Sequence, residues 1–359
     1  MSSDIKGSAI VHAELSRASS LYRLAIVGAS TLKGKEVAEV LSDRNFPSVD
    51  VKLLDDEDSL GRLETMKDEV TFIQSVRPEQ FDKVDFTFFA SDQDTARKNW
   101  SLAHKAGSAI VDLSYGLEDE PGASVRSPWI ERELGQTLSL ELQPGPVVVA
   151  HPAAVVLALL LLRTQKTASV RHAVATIFEP ASEHAQKGMD ELHEQTVNLL
   201  SFQPLPKSVF DTQVAFNMLS RYGEQSTPPL VTVQDRVLRH FERISGGNAS
   251  PLSLLVAQAP IFHGYAFALH VETTAAADIS LLSQVLAGDH VSIALPAEDG
   301  PSNVGAAGQP GILVSILPDV RSPNSFWLWA AADNLRIAAT TAVECAESMS
   351  ASRPRGKIQ

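Results

Sequence analysis

The stretch LAIVGASTLKGKEVAEVL, residues 24–41, decides the fold of this chain. Residues 24–27 form a short apolar run typical of a buried strand, and Gly28 and Gly34 bracket the turn that follows. Apolar side chains then recur at helical spacing over 36–41. The stretch therefore predicts a strand that turns directly into a helix.

The same alternation of strand and helix patterns continues along the first 150 residues. Strands are predicted at 51–54, 84–90, 108–112 and 147–150, and a helix at 94–106. Such alternation predicts an α/β fold with a doubly wound, parallel, Rossmann-like sheet. We assign this domain to residues 21–155 and treat residues 1–20 as a flexible tail.

From about residue 171 the pattern becomes mixed. Strands are predicted at 173–178, 252–257, 265–271, 291–295, 312–317 and 326–331, and helices at 185–200, 231–244 and 334–349. This mixture predicts an α+β second domain over 156–333. Residues 351–359 are expected to form a second tail.

Composition narrows the class of protein. The chain has 359 residues, 44% of them hydrophobic, and a net charge of −13. Nucleic acids and anionic membranes bind clustered Lys and Arg residues. An acidic chain such as this one is therefore not expected to bind either of them. The apolar run 153–162 is shorter than the roughly 18 residues that span a bilayer. The single cysteine, Cys345, allows no internal disulfide, and we expect a soluble, cytoplasmic protein.

The turn between Gly28 and Gly34 is a candidate nucleotide site. A turn of this kind presents helix N–H groups to a dinucleotide pyrophosphate, although the G-x-x-x-x-x-G spacing differs from the standard fingerprint. Asp55 ends the second predicted strand, where a carboxylate accepts hydrogen bonds from the adenosine ribose and repels a 2′-phosphate. A bound cofactor would therefore be NAD rather than NADP. The alternative is that Gly28 only turns the chain and Asp55 is solvated.

Several separate stretches together resemble the aspartate-semialdehyde dehydrogenase family. They include GASTLKG at 28–34, IVDLS at 110–114 and LWAAADNLR at 328–336. Stretches 210–217 and 258–262 are most similar to the usg-type paralogues of that family, which lack the catalytic cysteine.

The resemblance implies a nucleotide-binding domain, dimerisation through the second domain, and a final helix, 334–350, that packs back on the first domain. It also implies that Asn334 lies near the nicotinamide. With it, the cofactor-binding candidates are Gly28, Ser30, Thr31, Leu32, Gly34, Asp55 and Asn334.

The residues that the family chemistry needs differ in this chain. That chemistry uses a thiolate nucleophile, a base and an arginine that binds the substrate carboxylate. By the resemblance, Ala154 stands at the cysteine position, Tyr265 at the base position and Gln258 at the arginine position. Glu118 replaces a phosphate-binding arginine, and Glu183 replaces a glycine beside the cofactor. No catalytic residue is therefore assigned.

Three functional hypotheses follow. The first is a homodimeric family member that has lost the conventional NADP- and phosphate-dependent activity and needs no cofactor. The second is an NAD-dependent oxidoreductase that transfers hydride directly, with Tyr265 or His263 as acid or base. The third is a non-catalytic binding or regulatory subunit with a small-molecule or protein partner.

Other polar and aromatic residues have simpler interpretations. Cys345 suits a small buried position, and the histidines show no metal-ligand spacing. The polar residues around the helix at 185–200, namely Glu183, His184, Asp190, Glu191, His193 and Glu194, are expected to be solvated. Trp327 and Trp329 share one face of a strand and are expected in the interior or an interface.

Overall fold

A computed structural model describes residues 21–56, 61, 63–66, 69–136, 145–226, 228–295 and 299–351. The two tails predicted at 1–20 and 351–359 lie outside these residues, apart from Ala351.

The first domain is built on a parallel seven-stranded sheet. Its elements are β1 (Tyr22–Val27), α1 (Leu32–Asp43), β2 (Ser48–Asp55), β3 (Leu63–Met66), β4 (Glu69–Phe72), β5 (Gln74–Ser75), β6 (Phe86–Phe89), α2 (Gln93–Lys105), β7 (Ala109–Asp112), β8 (Ser124–Arg126), α3 (Pro128–Glu133) and β9 (Val147–Val149). The strand order is β5-β2-β1-β6-β7-β9-β8, and β3 and β4 form a separate two-stranded sheet. Both faces of the central strands are covered, since all of β6 is buried. The Rossmann-like prediction is confirmed.

The second domain is built on a mixed six-stranded sheet. Its elements are α4 (Pro152–Thr164), β10 (Val170–Glu179), α5 (Ala185–Leu200), α6 (Leu230–Ser245), β11 (Leu252–Gln258), β12 (Tyr265–Thr273), α7 (Ile279–Leu286), β13 (Val291–Ile293), α8 (Asn303–Ala306), β14 (Ile312–Pro318) and β15 (Ser325–Ala332). The order is β11-β10-β12-β15-β14-β13. Helix α4 is apolar on all sides and entirely buried, so it forms the core beneath this sheet.

The final helix, α9 (Asn334–Ser350), returns to the first domain as predicted. Its alanines, together with Val343 and Cys345, pack into the core that contains Leu24 and Ile26 of β1. Arg336 binds Glu36 of α1 at 2.9 Å. Burial raises the pKa of the Cys345 thiol to about 12, so this cysteine stays protonated and unreactive at neutral pH.

Candidate functional site

The turn between β9 and α4 lies at the junction of the two domains. His151 caps α4, and its Nδ1 accepts a hydrogen bond from the Ala153 N–H at 3.3 Å. The backbone N–H of His151 in turn donates to Nδ1 of His240 at 2.9 Å. Because Nδ1 of His151 is an acceptor, its hydrogen is on Nε2. Ala154 follows in the first turn of α4 and is fully buried.

Two tyrosines enclose the His151 ring. Tyr115 stacks on it with ring centroids 5.5 Å apart, and Tyr265 lies 6.1 Å away. No described residue makes a hydrogen bond to the buried hydroxyl of Tyr265. Burial, and next the charges of Glu183 and Glu179, raise the pKa of Tyr265 well above its ordinary value. Tyr265 therefore keeps its proton at neutral pH.

Burial also keeps His151 neutral. It lowers the pKa of His151 well below the ordinary value, and the positive charges of Lys33 and Arg236 act in the same direction. A neutral imidazole with its hydrogen on Nε2 is a hydrogen-bond donor rather than a cation. The nearest acid is Glu183, whose Oε2 is 3.9 Å from Nε2.

Glu118 is the centre of a charge cluster with α6. Its carboxylate accepts from Arg236 Nε at 2.6 Å and from Arg239 Nη2 at 3.1 Å, and His240 Nε2 lies 3.4 Å away. Burial alone raises the pKa of Glu118, but the contacts from His240, Arg236 and Arg239 outweigh it and lower the pKa to about 2. The two arginines are thus paired with a carboxylate of the chain itself.

Gln258 belongs to a closed hydrogen-bond network at the ends of β10 and β11. Its Nε2 donates to the carbonyl oxygens of Glu179, at 3.0 Å, and Ala259, at 2.7 Å, and its Oε1 lies 2.7 Å from the Tyr222 hydroxyl. The Tyr222 oxygen is also 3.0 Å from Glu179 Oε1 and 3.0 Å from His184 Nε2. Gln258 is fully buried and uncharged, so it supplies no cation for a substrate carboxylate.

The prediction of a solvated surface around α5 was wrong for Glu183, His184 and Glu191. Glu191 is buried and accepts from the Val209 N–H at 2.6 Å and the Phe210 N–H at 3.2 Å. His184 packs edge-on against the ring of Phe210. The chain after α5 folds over this face, which helical periodicity alone does not reveal.

The residue that follows this loop adopts a conformation that disfavours side chains. Ala185 has φ +54° and ψ −154°, a region essentially restricted to glycine. We expect Ala185→Gly to raise the free energy of unfolding by about 1 kcal/mol, because the strain disappears. Ala38→Gly, within α1, is the control and is expected to lower it by about 1 kcal/mol. Urea denaturation of both variants checks this, and a loss of stability in Ala185→Gly contradicts it.

The predicted nucleotide turn has the expected position at the end of β1. Gly28 has φ +86°, and a Cβ there lies 2.5 Å from the Ser91 nitrogen; a Cβ on Gly34 lies 2.1 Å from the Gly28 oxygen. Both glycines are therefore required by the packing of the turn itself. Thr31 caps α1 through the Gly34 N–H at 3.0 Å, and Leu32 begins the helix.

The other cofactor candidates hold hydrogen bonds within the chain. Asp55 is the last residue of β2, and its Oδ2 accepts from the Ser30 N–H at 2.7 Å. Asn334 donates through Nδ2 to Glu183 Oε1 at 2.7 Å and accepts through Oδ1 from the Gly264 N–H at 3.2 Å. His263 precedes β12 rather than lying on it.

Lys33 is a site residue that the sequence interpretation did not single out. Its Nζ donates to the Leu113 carbonyl oxygen at 3.1 Å and lies 4.7 Å from the centroid of the Tyr115 ring. The available signal was the motif: Lys33 stands where the family's G-A-T-G-x-V-G has valine. His151, His240, Arg236 and Arg239 were also missed.

The described residues contain neither a metal-ligand cluster nor a membrane-spanning helix. No group of three or more His, Cys, Asp or Glu side chains is placed to hold a metal ion among them. In the same part of the chain, no helix combines the length and the apolar character needed to cross a membrane.

Each of the two domains matches a known domain type. A model of the semialdehyde dehydrogenase NAD binding domain matches residues 23–143, and one of the semialdehyde dehydrogenase dimerisation domain matches residues 162–337. The chain therefore has a nucleotide-binding domain followed by a dimerisation domain.

Individual relatives indicate the same family as the two domain matches. A USG-1 protein homolog of Azotobacter vinelandii is 30% identical over 329 residues, covering 90% of this chain and 96% of that protein. An aspartate-semialdehyde dehydrogenase of Rickettsia bellii is 24% identical, covering 91% and 97%. The solved structure of a probable aspartate-semialdehyde dehydrogenase from Pseudomonas aeruginosa has a TM-score of 0.80 at 26% identity, covering 91% of this chain and 98% of that chain. The chain belongs to the semialdehyde dehydrogenase family.

Proposed function

We propose that this chain is a homodimeric member of the family that does not carry out thiol-dependent, NADP- and phosphate-dependent oxidation of aspartate semialdehyde. The observation that carries the proposal is Ala154, a buried methyl group in the first turn of α4. A helix N-terminus is suited to stabilise a thiolate, and a methyl group cannot attack an aldehyde carbon.

The groups around Ala154 support the same conclusion. Tyr265 keeps its proton at neutral pH. Gln258 carries no charge for a substrate carboxylate, and Glu118 holds Arg236 and Arg239 in ion pairs. Where the family chemistry needs a base and two cations, one for the substrate carboxylate and one for phosphate, this chain has a phenol, an amide and a carboxylate.

For the nucleotide, Asp55 favours NAD over NADP if the crevice takes one, since a buried carboxylate repels a 2′-phosphate. We also propose that the first domain comprises residues 21–155 and is completed by 334–350, and that the second comprises residues 156–333.

Ala154→Cys tests whether the thiol alone is missing. We expect the purified variant, like the wild type, to give no NADPH or NADH from aspartate semialdehyde and phosphate, because Gln258, Tyr265 and Glu118 are unchanged. The assay follows absorbance at 340 nm, with an active family member as positive control. Turnover by the wild type contradicts the proposal. Turnover by the variant shows that Gln258, Tyr265 and Glu118 do not prevent the reaction.

Dimerisation is proposed through the outer face of the second sheet, with a second copy of the chain as the partner. Along this face Val174, His270, Trp327 and Leu317 lie in register across four strands. Trp327 is 41% exposed, and its ring centroid is 4.8 Å from that of His270. An exposed row of this kind on a dimerisation domain suits an isologous sheet contact.

Trp327→Glu is expected to convert the dimer to a monomer, because it places a charge at the centre of an apolar contact. Size-exclusion chromatography with light scattering at micromolar concentration measures the change. Val320→Glu is the matched control, since Val320 is 98% exposed and lies in the turn between β14 and β15. If Trp327→Glu stays dimeric, the interface lies elsewhere.

A further inference from the structure

We infer that Lys33 and Glu183 close the nicotinamide end of the crevice, so that this chain discriminates against nicotinamide dinucleotides. The inference deepens the proposed function and rests on it, because a chain without the aldehyde-oxidising chemistry has no need of a hydride acceptor. Its physical basis is independent of Ala154.

The topology of the first sheet places the crevice. The strand order reverses between β1 and β6, and ligands of such sheets bind at that reversal, outside the carboxyl ends of the strands. A dinucleotide bound there would run from Asp55 at the end of β2 across the N-terminus of α1, and its second half would lie over the ends of β6 and β7.

The Lys33 side chain lies across the second half of the space that a dinucleotide would occupy. The side chain leaves the first turn of α1 and reaches the carbonyl oxygen of Leu113, the residue immediately after β7, at 3.1 Å. It lies above the ring of Tyr115 at 4.7 Å from the centroid. A valine, which the family motif has here, has neither the length nor the charge to do this.

Glu183 approaches from the second domain. Its Oε1 accepts the Asn334 amide hydrogen at 2.7 Å, while Oδ1 of Asn334 accepts from the Gly264 N–H. The amide expected to meet a nicotinamide carboxamide is therefore bonded within the chain. Where the family has a glycine that lets the backbone approach the cofactor, this chain has a carboxylate that is 10% exposed.

The two charges stabilise each other across the crevice. Burial lowers the pKa of Lys33, and the negative charges of Glu183 and Asp112 oppose that shift. A nicotinamide would therefore have to compete with the Lys33 ammonium for the Leu113 carbonyl end of β7 and with the Glu183 carboxylate for the Asn334 amide. A double variant of Lys33 and Glu183 removes the Lys33 ammonium together with one of the two carboxylates whose charge compensates it.

The test compares NAD⁺ with ADP-ribose, which lacks the nicotinamide. Both are titrated calorimetrically into the full chain and into the double variant Lys33→Val/Glu183→Gly. In the wild type we expect NAD⁺ to bind no more tightly than ADP-ribose, and in the double variant we expect a gain in NAD⁺ affinity of tenfold or more. Emission of the nicotinamide of NADH should change on mixing only with the double variant.

Controls separate a local effect from a folding effect. Lys35→Val, on the exposed side of the same helix, should leave NAD⁺ affinity at the wild-type value. Glu183→Gln keeps the contact with Asn334 without the charge and should recover less than the double variant. The thermal unfolding midpoint of each variant confirms that it is folded.

Two results overturn the inference. One is a wild type that binds NAD⁺ at least tenfold more tightly than ADP-ribose. The other is a folded double variant with no gain in NAD⁺ affinity, including the case in which neither protein binds either ligand. No aldehyde is present in these titrations, so they do not test the proposed loss of activity. The absorbance assay tests that proposal separately.

Discussion

Glu118→Ala is expected to lower the free energy of unfolding by about 3 kcal/mol at pH 7, because it leaves Arg236 and Arg239 without their shared carboxylate. Arg236 is only 13% exposed at its side chain and Glu118 only 7%, so water replaces little of the lost interaction. His240, fully buried beside the pair, loses its facing acid as well.

The pH dependence gives this prediction a second readout. The folded-state pKa of Glu118 is about 2, below its ordinary value of 4.5. A lowered folded-state pKa adds stability above the unfolded value, and this stability is lost as the pH falls from 4.5 towards 2. The difference between wild type and Glu118→Ala should therefore shrink over that interval.

Urea denaturation at pH 7, 4.5 and 3 measures both effects. Asp119→Ala is the matched control, since Asp119 is the exposed neighbour, and its effect should stay within about 0.5 kcal/mol. Glu118→Arg, which restores the family's residue, should destabilise more than alanine because it adds a third cation. A Glu118→Ala protein as stable as the wild type would show that the cluster contributes no net stability.

The first sheet and the long helices could be predicted because their buried residues form apolar segments or recur at helical spacing in the sequence. Strand β6 has three phenylalanines among its four buried residues, and α5 was predicted with the bounds Ala185–Leu200 that the structure has. Strand β8, Ser124–Arg126, was missed because it is short, polar and at the sheet edge. Its formation depends on the neighbouring strand rather than on its own side chains.

The candidate site could be predicted only in part, for a related reason. Ala154, Gln258 and Tyr265 stand in recognisable motifs, so their positions were available. The partners of Glu118 lie more than 100 residues away on α6, and arginines on an amphipathic helix suggest a solvated face. Glu183 was misjudged in the same way, since only the assembled chain brings Asn334 beside it.

Hydrogen counting around Tyr222 assigns the protonation state of Glu179. The two donor contacts of Gln258 Nε2 fix its amide, so its Oε1 faces Tyr222 and can only accept. Tyr222 has a single hydroxyl hydrogen, which goes to that oxygen. That hydrogen cannot also serve Glu179 Oε1, 3.0 Å from the Tyr222 oxygen, so with the hydrogen on Gln258 this contact is a hydrogen bond only when Glu179 is protonated and donates.

Burial explains why Glu179 keeps this proton. It raises the pKa of Glu179 to about 8, with a further contribution from the charge of Glu183. A folded-state pKa above the ordinary value of 4.5 stabilises the fold fully below pH 4.5, and that contribution is lost as the pH rises through 8. The sign is opposite to that of Glu118.

Glu179→Gln should remove this loss of stability, because glutamine has the shape and donor group of the neutral acid and never ionises. We expect the variant to match the wild type within about 1 kcal/mol at pH 5 and to exceed it by roughly 2–4 kcal/mol at pH 9, where the wild type contains a buried carboxylate. Urea denaturation at both values measures the difference, with Glu194→Gln, exposed on α5, as the control. Equal stability of Glu179→Gln and wild type at pH 9 would mean that Glu179 ionises without cost, and hence that the hydrogen assigned to the Tyr222 contact is not there.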